Sequence, residues 1–231
     1  MKTRKIVFFG VAALLIALCS SCREGKGIMK YYDSNSYVVM FSRPAVISVK
    51  PITVDGFALG LRIYSDKVAW TCNATQTGLG GQFDKLCLKY GDTGLPHQIY
   101  TNFEIGLWVP DGPRANADSY ASISVTCSKD WDANHLSGTS LADVIWFNGW
   151  SFYPYIHSRY TLPAPRTNIF KKLDQVTPQE MMMLGEGEFE VEICKLLFEQ
   201  APAVPGVYPI TVTLTTDEGE VSSLSWDFTF K

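Results

Sequence analysis

Period-two alternation of apolar and polar positions dominates the chain from residue 36 onward. Residues 37–41 and 45–49 are short β-branched runs separated by Arg43 and Pro44. In residues 57–64, Phe57, Leu59, Leu61 and Ile63 fall on one face. This is the signature of half-buried strands. Residues 99–109 predict a further strand, closed by a Pro-Asp-Gly-Pro turn at 110–113. In residues 120–127, Ile123, Val125 and Cys127 point one way, while Ser122, Ser124 and Thr126 form a hydroxyl-rich outer face. Residues 188–193 alternate acid with hydrophobe. Tyr208, Ile210, Val212 and Leu214 then share a face opposite Thr211, Thr213 and Thr215, an Asp-Glu-Gly turn follows at 217–219, and Leu224, Trp226, Phe228 and Phe230 return on alternate positions. Helix signals are few. Ser140 to Asp143 and Thr177 to Glu180 each form a capping box that predicts one or two turns, the second with Pro178 at the first helical position. The pattern predicts a mostly β chain with long loops and one or two short helices.

The first 21 residues break this pattern. Lys2, Arg4 and Lys5 precede an uninterrupted apolar run over residues 6–18, and small residues lead to Cys22. A basic start, a short apolar stretch and small residues before a cut describe a secretory signal peptide. Thirteen residues rise only about 20 Å as a helix, short of the roughly 30 Å hydrocarbon core, so a permanent span is disfavoured. Residues 22–35 mix glycine and charge without periodicity and are expected to act as a flexible tether, leaving 36–231 as the folded domain.

Composition then narrows the function classes. The 231 residues are 46% apolar and 19% charged, with a net charge of −3. Without the three leader cations the charge is −6, which leaves no broad basic groove for nucleic acid. Beyond the signal, Cys72, Cys87, Cys127 and Cys194 allow three full pairings. A Cys72–Cys87 bridge would close a short loop worth about 3 kcal/mol by chain entropy. Cys127, on an apolar strand face, is expected to be a buried thiol. No Cys-x-x-Cys follows the signal, so a zinc ribbon or redox pair is unsupported, and no metal or cofactor is expected.

His97, His135 and His157 sit in no H-E-x-x-H motif, and G-x-S-x-G is absent, so catalytic residues are not assigned. Asp130, Asp132 and Asn134 are spaced as a calcium loop begins. Position six is His135 and position twelve is Leu141, so an Asx-rich turn is expected in place of a calcium site. Residues 146–160 hold seven aromatics. Rings with a flat apolar face and a polar edge suit stacking on a sugar or gripping a protein, and they suit core packing equally. Trp146, Trp150, Tyr153 and Tyr155 are the candidate ligand-binding residues, with Trp150 and Tyr153 expected on a loop and Trp146 and Phe147 in the core.

Two resemblances add to this reading. The segment ending Ser20-Ser21-Cys22 resembles the bacterial lipoprotein signal, which implies acylation at Cys22, with Cys19 as the alternative. Residues 205–213, with Tyr208 at the start of a Thr/Val strand, resemble the last strands of immunoglobulin-like sandwiches and imply an immunoglobulin-like antiparallel β-sandwich. With residues 124–143, the chain is similar to small Bacteroidetes lipoproteins of uncharacterised function. That resemblance implies a cell-envelope protein lipid-anchored to the outer membrane, on its surface or periplasmic face. The expected role is a non-catalytic binding module for a glycan or an envelope protein. A structural or adhesion component is the alternative, and a hydrolase is third.

Overall fold

The computed structural model describes residues 30–71, 80–104, 107–185 and 191–231. Among the described residues the chain is mostly β, with several antiparallel sheets and two short helices. Cys22, the signal segment and Cys72 lie outside the described residues, and so does the expected Cys72–Cys87 bridge. Among the described residues no helix is long and apolar enough to cross a membrane.

Three sheets organise the described residues. The first has the order β1 (Lys30–Ser34), β4 (His97–Glu104), β5 (Leu107–Pro110). The stretch read as tether therefore includes a strand, because β1 pairs along its whole length with β4. The single strand expected over 99–109 is instead the β4–β5 hairpin, with Thr101 opposite Pro110.

The second sheet has six strands. In order they are β6 (Arg114–Asn116), β2 (Met40–Ile52), β3 (Leu59–Thr71), β10 (Val191–Phe198), β8 (Ile145–Ser151) and β9 (Thr167–Lys172). The two runs expected around Pro44 are one strand, with an irregularity between Pro44 and Val46 that absorbs the missing proline N–H. The third sheet has the order β12 (Val221–Phe230), β11 (Gly206–Thr216), β7 (Tyr120–Cys127). An immunoglobulin-like sandwich is not identified among these sheets.

The second and third sheets contribute to one apolar core. Leu61, Ile63, Ile145, Phe147, Cys194, Leu196 and Phe198 from one meet Ile123, Val125, Cys127, Ile210, Val212 and Leu214 from the other. Alternation does this: Ile123, Val125 and Cys127 of β7 and Tyr208, Ile210, Val212 and Leu214 of β11 are buried, and the residues between them are not. The opposite face of the third sheet carries the expected hydroxyls, with Thr211 bonded to Ser225 at 2.6 Å and Thr213 to Ser223 at 2.9 Å. Cys127 and Cys194 are buried thiols, and burial pushes both pKa values up.

A second core forms around helix α1 (Gly80–Tyr90). Phe83, Leu86, Cys87 and Tyr90 recur at helical spacing and pack on Val38, Phe41, Phe152 and Ile156. Gly91, at φ 72°, ends the helix: its N–H donates to Leu88 O and that of Asp92 to Cys87 O. That turn delivers the Asp92 carboxylate to the interior. There it accepts the N–H groups of Tyr37 and Val38 at 2.7 and 2.9 Å and the Tyr160 hydroxyl at 2.9 Å. Burial raises the Asp92 pKa, and these hydrogen bonds oppose the rise.

The capping-box predictions fare differently from one another. At Ser140 only a 3-10 turn forms, Ala142–Val144. After Thr177, successive i to i+3 bonds replace the expected helix, although the Glu180 carboxylate does reach back to the Thr177 N–H at 2.9 Å. The second helix, α2 (Tyr153–His157), falls within the aromatic segment instead.

Asp92→Ala should destabilise the fold by about 2–4 kcal/mol, since two buried amides and a hydroxyl lose their acceptor. Asp92→Asn, which keeps one acceptor oxygen, should fall between. Urea unfolding curves measure both, and an alanine variant with an unchanged midpoint would refute the role given to this carboxylate.

Candidate ligand-binding site

The four aromatic candidates divide between two places. Trp146, Asn148 and Trp150 alternate along β8 and share the face of the second sheet that turns away from the shared core, while Ile145 and Phe147 point inward. Trp146 is therefore half-buried on the outer face and not in the core as expected, whereas Phe147 is fully buried.

Across the β8–β9 ladder, Trp146 stands opposite Lys172 and Asn148 opposite Phe170. The rings of Trp146 and Phe170 stack at 4.9 Å with an interplanar angle of 23°. Phe57 meets Phe170 edge-on at 6.4 Å, and the Lys172 ammonium lies 5.1 Å from the Trp146 ring centre. Phe170 is 52% exposed, so it is the ring this group offers to solvent, with Trp146 backing it.

Sequence reading missed Phe170. It lies 24 positions after Trp146, outside the aromatic-rich window, and only the strand pairing joins the two. The one local trace is the apolar pair Ile169 and Phe170, which β9 divides between its buried and exposed faces.

Trp150 is also in β8, not on a loop, because β9 pairs as far as Ser151. Its ring occupies the space that a Cβ at Gly185 would fill, so residue 185 must lack one. It meets Phe152 edge-on at 4.9 Å, and the Arg166 guanidinium lies 4.5 Å from its centre. Tyr153 and Tyr155 sit on α2. Tyr153 stacks on His157 at 5.1 Å, and Tyr155 packs edge-on against Tyr37 and Tyr160. Trp150, Tyr153 and Tyr155 thus all pack against the second core, while Trp146 belongs to a separate surface group.

The loop holding Asp130 and Asp132 uses its carboxylates on its own backbone. Asp130 accepts the Ser137 N–H, and Asp132 accepts those of Asn134 and His135, which is the expected Asx-rich turn. Between these carboxylates the indole of Trp131 turns inward, only 1% exposed, against Phe198, Tyr208 and Phe230. His135 is more than a loop polar group. Its ring bridges Asp132 at 2.8 Å and Asp143 at 3.0 Å, tying the loop to the start of the 3-10 turn. Burial works to lower its pKa, but the two carboxylates outweigh burial and raise it. No group of three or more His, Cys, Asp or Glu among the described residues could hold a metal ion.

A cavity of about 380 Å³ lies between α1 and the segment after β1, lined by Ser34, Ser36, Phe83, Asp84, Cys87 and Asp92 among others. Asp92 there is a buried carboxylate with a raised pKa, the mark sought in an acid–base catalyst. Both its oxygens are engaged by Tyr37, Val38 and Tyr160, so it acts as a fastener for those segments. Burial, with Asp92 alongside, pushes the Tyr160 hydroxyl up to about 12, which keeps it protonated and donating.

Comparison with known protein families, curated proteins and solved structures returns no match to this chain.

The His135 bridge makes stability depend on pH in one direction. A raised folded-state pKa contributes fully below about 6.5, the unfolded value, and is lost as pH rises through the folded value. His135→Asn should therefore lower Tm more at pH 5.5 than at pH 8.5 relative to the parent protein. Equal decrements at both pH values would contradict the charged bridge.

Proposed function

We propose that this chain is a non-catalytic binding module, lipid-anchored through Cys22 in the cell envelope, that takes a glycan or protein ligand on the outer face of its second sheet. The observation that carries this reading is the half-exposed Phe170 ring stacked on Trp146, on the outer face of the sheet. A ring held flat by a partner loses little conformational entropy when a ligand covers it. Asn148, opposite Phe170, adds an amide donor and acceptor at the ring's edge.

The immunoglobulin-like reading belongs to the same proposal. It draws support from the Tyr208 hydroxyl, which donates to Val204 O at 2.7 Å and ties the strand start to the loop before it, as the resemblance implies. The anchor and the outer-membrane location rest on the leader and its resemblance to lipoprotein signals. A structural or adhesion role is the second reading. It is favoured by β12, a ten-residue strand without proline that pairs with β11 alone among the described strands and leaves an edge for another chain.

Two experiments test the proposal. Cys22→Ser should abolish metabolic labelling with radioactive palmitate and release the protein from membranes. Retained label on the variant would overturn the anchor assignment. Phe170→Ala should weaken binding to hits on a glycan array by at least about tenfold, as expected for an interfacial aromatic anchor, without changing Tm by more than a few degrees. Hits that bind the variant and the parent equally would remove this face from the reading, and self-association through β12 would then move the weight to adhesion.

A further inference from the structure

The two edges of the third sheet are finished differently. On the β7 side the chain covers its own edge: Gly138 N–H donates to Cys127 O at 2.7 Å, Leu141 N–H donates to Val125 O at 2.9 Å, and Thr126 bridges to Ser140. On the other side β12 pairs with β11 alone among the described strands. Its ten residues include no proline and a single charge, Asp227, so it carries none of the devices that usually blunt an edge strand.

The hairpin register fixes which backbone groups face the open side. Thr216 N–H donates to Glu220 O at 2.9 Å, which makes 216 and 220 a hydrogen-bonded pair and sets the alternation along the ladder. Residues 222, 224, 226, 228 and 230 therefore bond to β11. The N–H and C=O groups of Val221, Ser223, Ser225, Asp227 and Thr229 turn to the open side. Pro209, opposite Asp227, agrees with this: it has no N–H, and its carbonyl accepts the Ser128 N–H on the β7 side.

Side chains alternate in step with the backbone. Leu224, Trp226, Phe228 and Phe230 lie on the inner face yet are only half-buried, whereas Ile210, Val212 and Leu214 beside them on β11 are at most 1% exposed. Ser223, Ser225, Asp227 and Thr229 lie on the outer face and are exposed. An apolar row thus stops half-covered at the same edge where the backbone groups stand open.

We propose that β12 is the contact surface for a second copy of this chain, joined antiparallel about a two-fold axis at Trp226. The two three-stranded sheets then form one continuous sheet. A second copy is the occupant that the strand itself fits. A two-fold contact must set inner face against inner face and open-side backbone groups against one another, and few centres do both. Centring on Asp227 opposes two carboxylates. Centring on Ser225 sets Ser222 against Phe228 and leaves Phe230 beyond the end of the other strand. Centring on Trp226 aligns residues 222–230 with their copies. On the inner face Trp226 then meets its copy, Leu224 meets Phe228 and Ser222 meets Phe230. On the outer face Ser225 meets Asp227 and Ser223 meets Thr229, extending the hydroxyl ladder already formed with β11. Trp226 falls at a non-hydrogen-bonded position, where opposed side chains approach most closely. This surface is separate from the proposed ligand face, which lies on the second sheet.

The test is sedimentation equilibrium of the full-length protein in density-matched neutral detergent, over about 1 to 100 μM, where a contact of modest area associates. The mass should rise from one copy to two. Ser225→Asp sets an added carboxylate against Asp227 of the second copy at two symmetric places, and should weaken the dimer at least about tenfold. Raising the salt should recover part of that loss. Ser225→Lys offers the same carboxylate an opposite charge and should hold the dimer at least as tightly as the parent. Ser225→Asp/Asp227→Ser merely exchanges the paired positions and should restore the parent affinity. Residue 225 is exposed, so each variant should keep its Tm within a few degrees of the parent.

A single-copy mass across the whole range, or growth past two copies, overturns the proposal. So does a dimer on which Ser225→Asp and Ser225→Lys act alike, or which the exchange fails to restore, because its contact is then not the ladder centred on Trp226. The Phe170→Ala array result decides the ligand reading separately.

Discussion

Trp131 joins the second and third sheets. Its ring touches Phe198 of the second sheet and Tyr208 and Phe230 of the third, at centre distances of 5.2 to 5.7 Å. A buried aromatic of this size removes a large apolar area from water, and its contacts close the end of the shared core. The turn that carries it is held by Asp130 and Asp132 on their own backbone and by the His135 bridge. The acidic residues on either side thus hold the indole in place. A sequence motif that resembles the start of a calcium loop is in effect a mount for a core tryptophan.

Because the inner faces of the two sheets satisfy each other, their outer faces are left to differ. The third sheet turns hydroxyls outward, and these bond one another across the strands. The second sheet turns outward Phe170, Trp146 and Asn148, beside ion pairs such as that of Arg62 and Lys195 with Glu192. A face of small hydroxyls is well solvated and offers no large flat apolar surface, whereas the other face offers one. The two outer faces therefore have unequal capacity to hold a ligand, and the difference arises from side-chain chemistry on a common strand scaffold.

The second core has its own logic. Helix α1 buries one stripe, ends at Gly91, and delivers Asp92 to the amides of Tyr37 and Val38. Those residues lead into β2, which spans the second sheet and places Lys50 on its outer face. A buried carboxylate thus helps fix the entry of a strand in the sheet whose outer face is proposed to bind.

Much of the strand content was legible in the sequence, because alternation is a local property. The inward sets on β7 and β11, the hydroxyl faces opposite them and the C-terminal hairpin all follow from period two. Helix α1 was equally local yet went unread, since its glycines masked the i, i+3, i+4, i+7 spacing of Phe83, Leu86, Cys87 and Tyr90. The candidate site was legible only in part. The aromatic-rich window contained Trp146 and Trp150, but nothing local distinguished the surface ring from the packed ones. Phe170 lies on β9 and Trp146 and Asn148 on β8, and only the pairing register brings them together. The sequence by itself determined which side of each strand is apolar. Tertiary structure decided which strands are neighbours, because register depends on contacts far apart in the chain, and so it alone assembled the face proposed to bind.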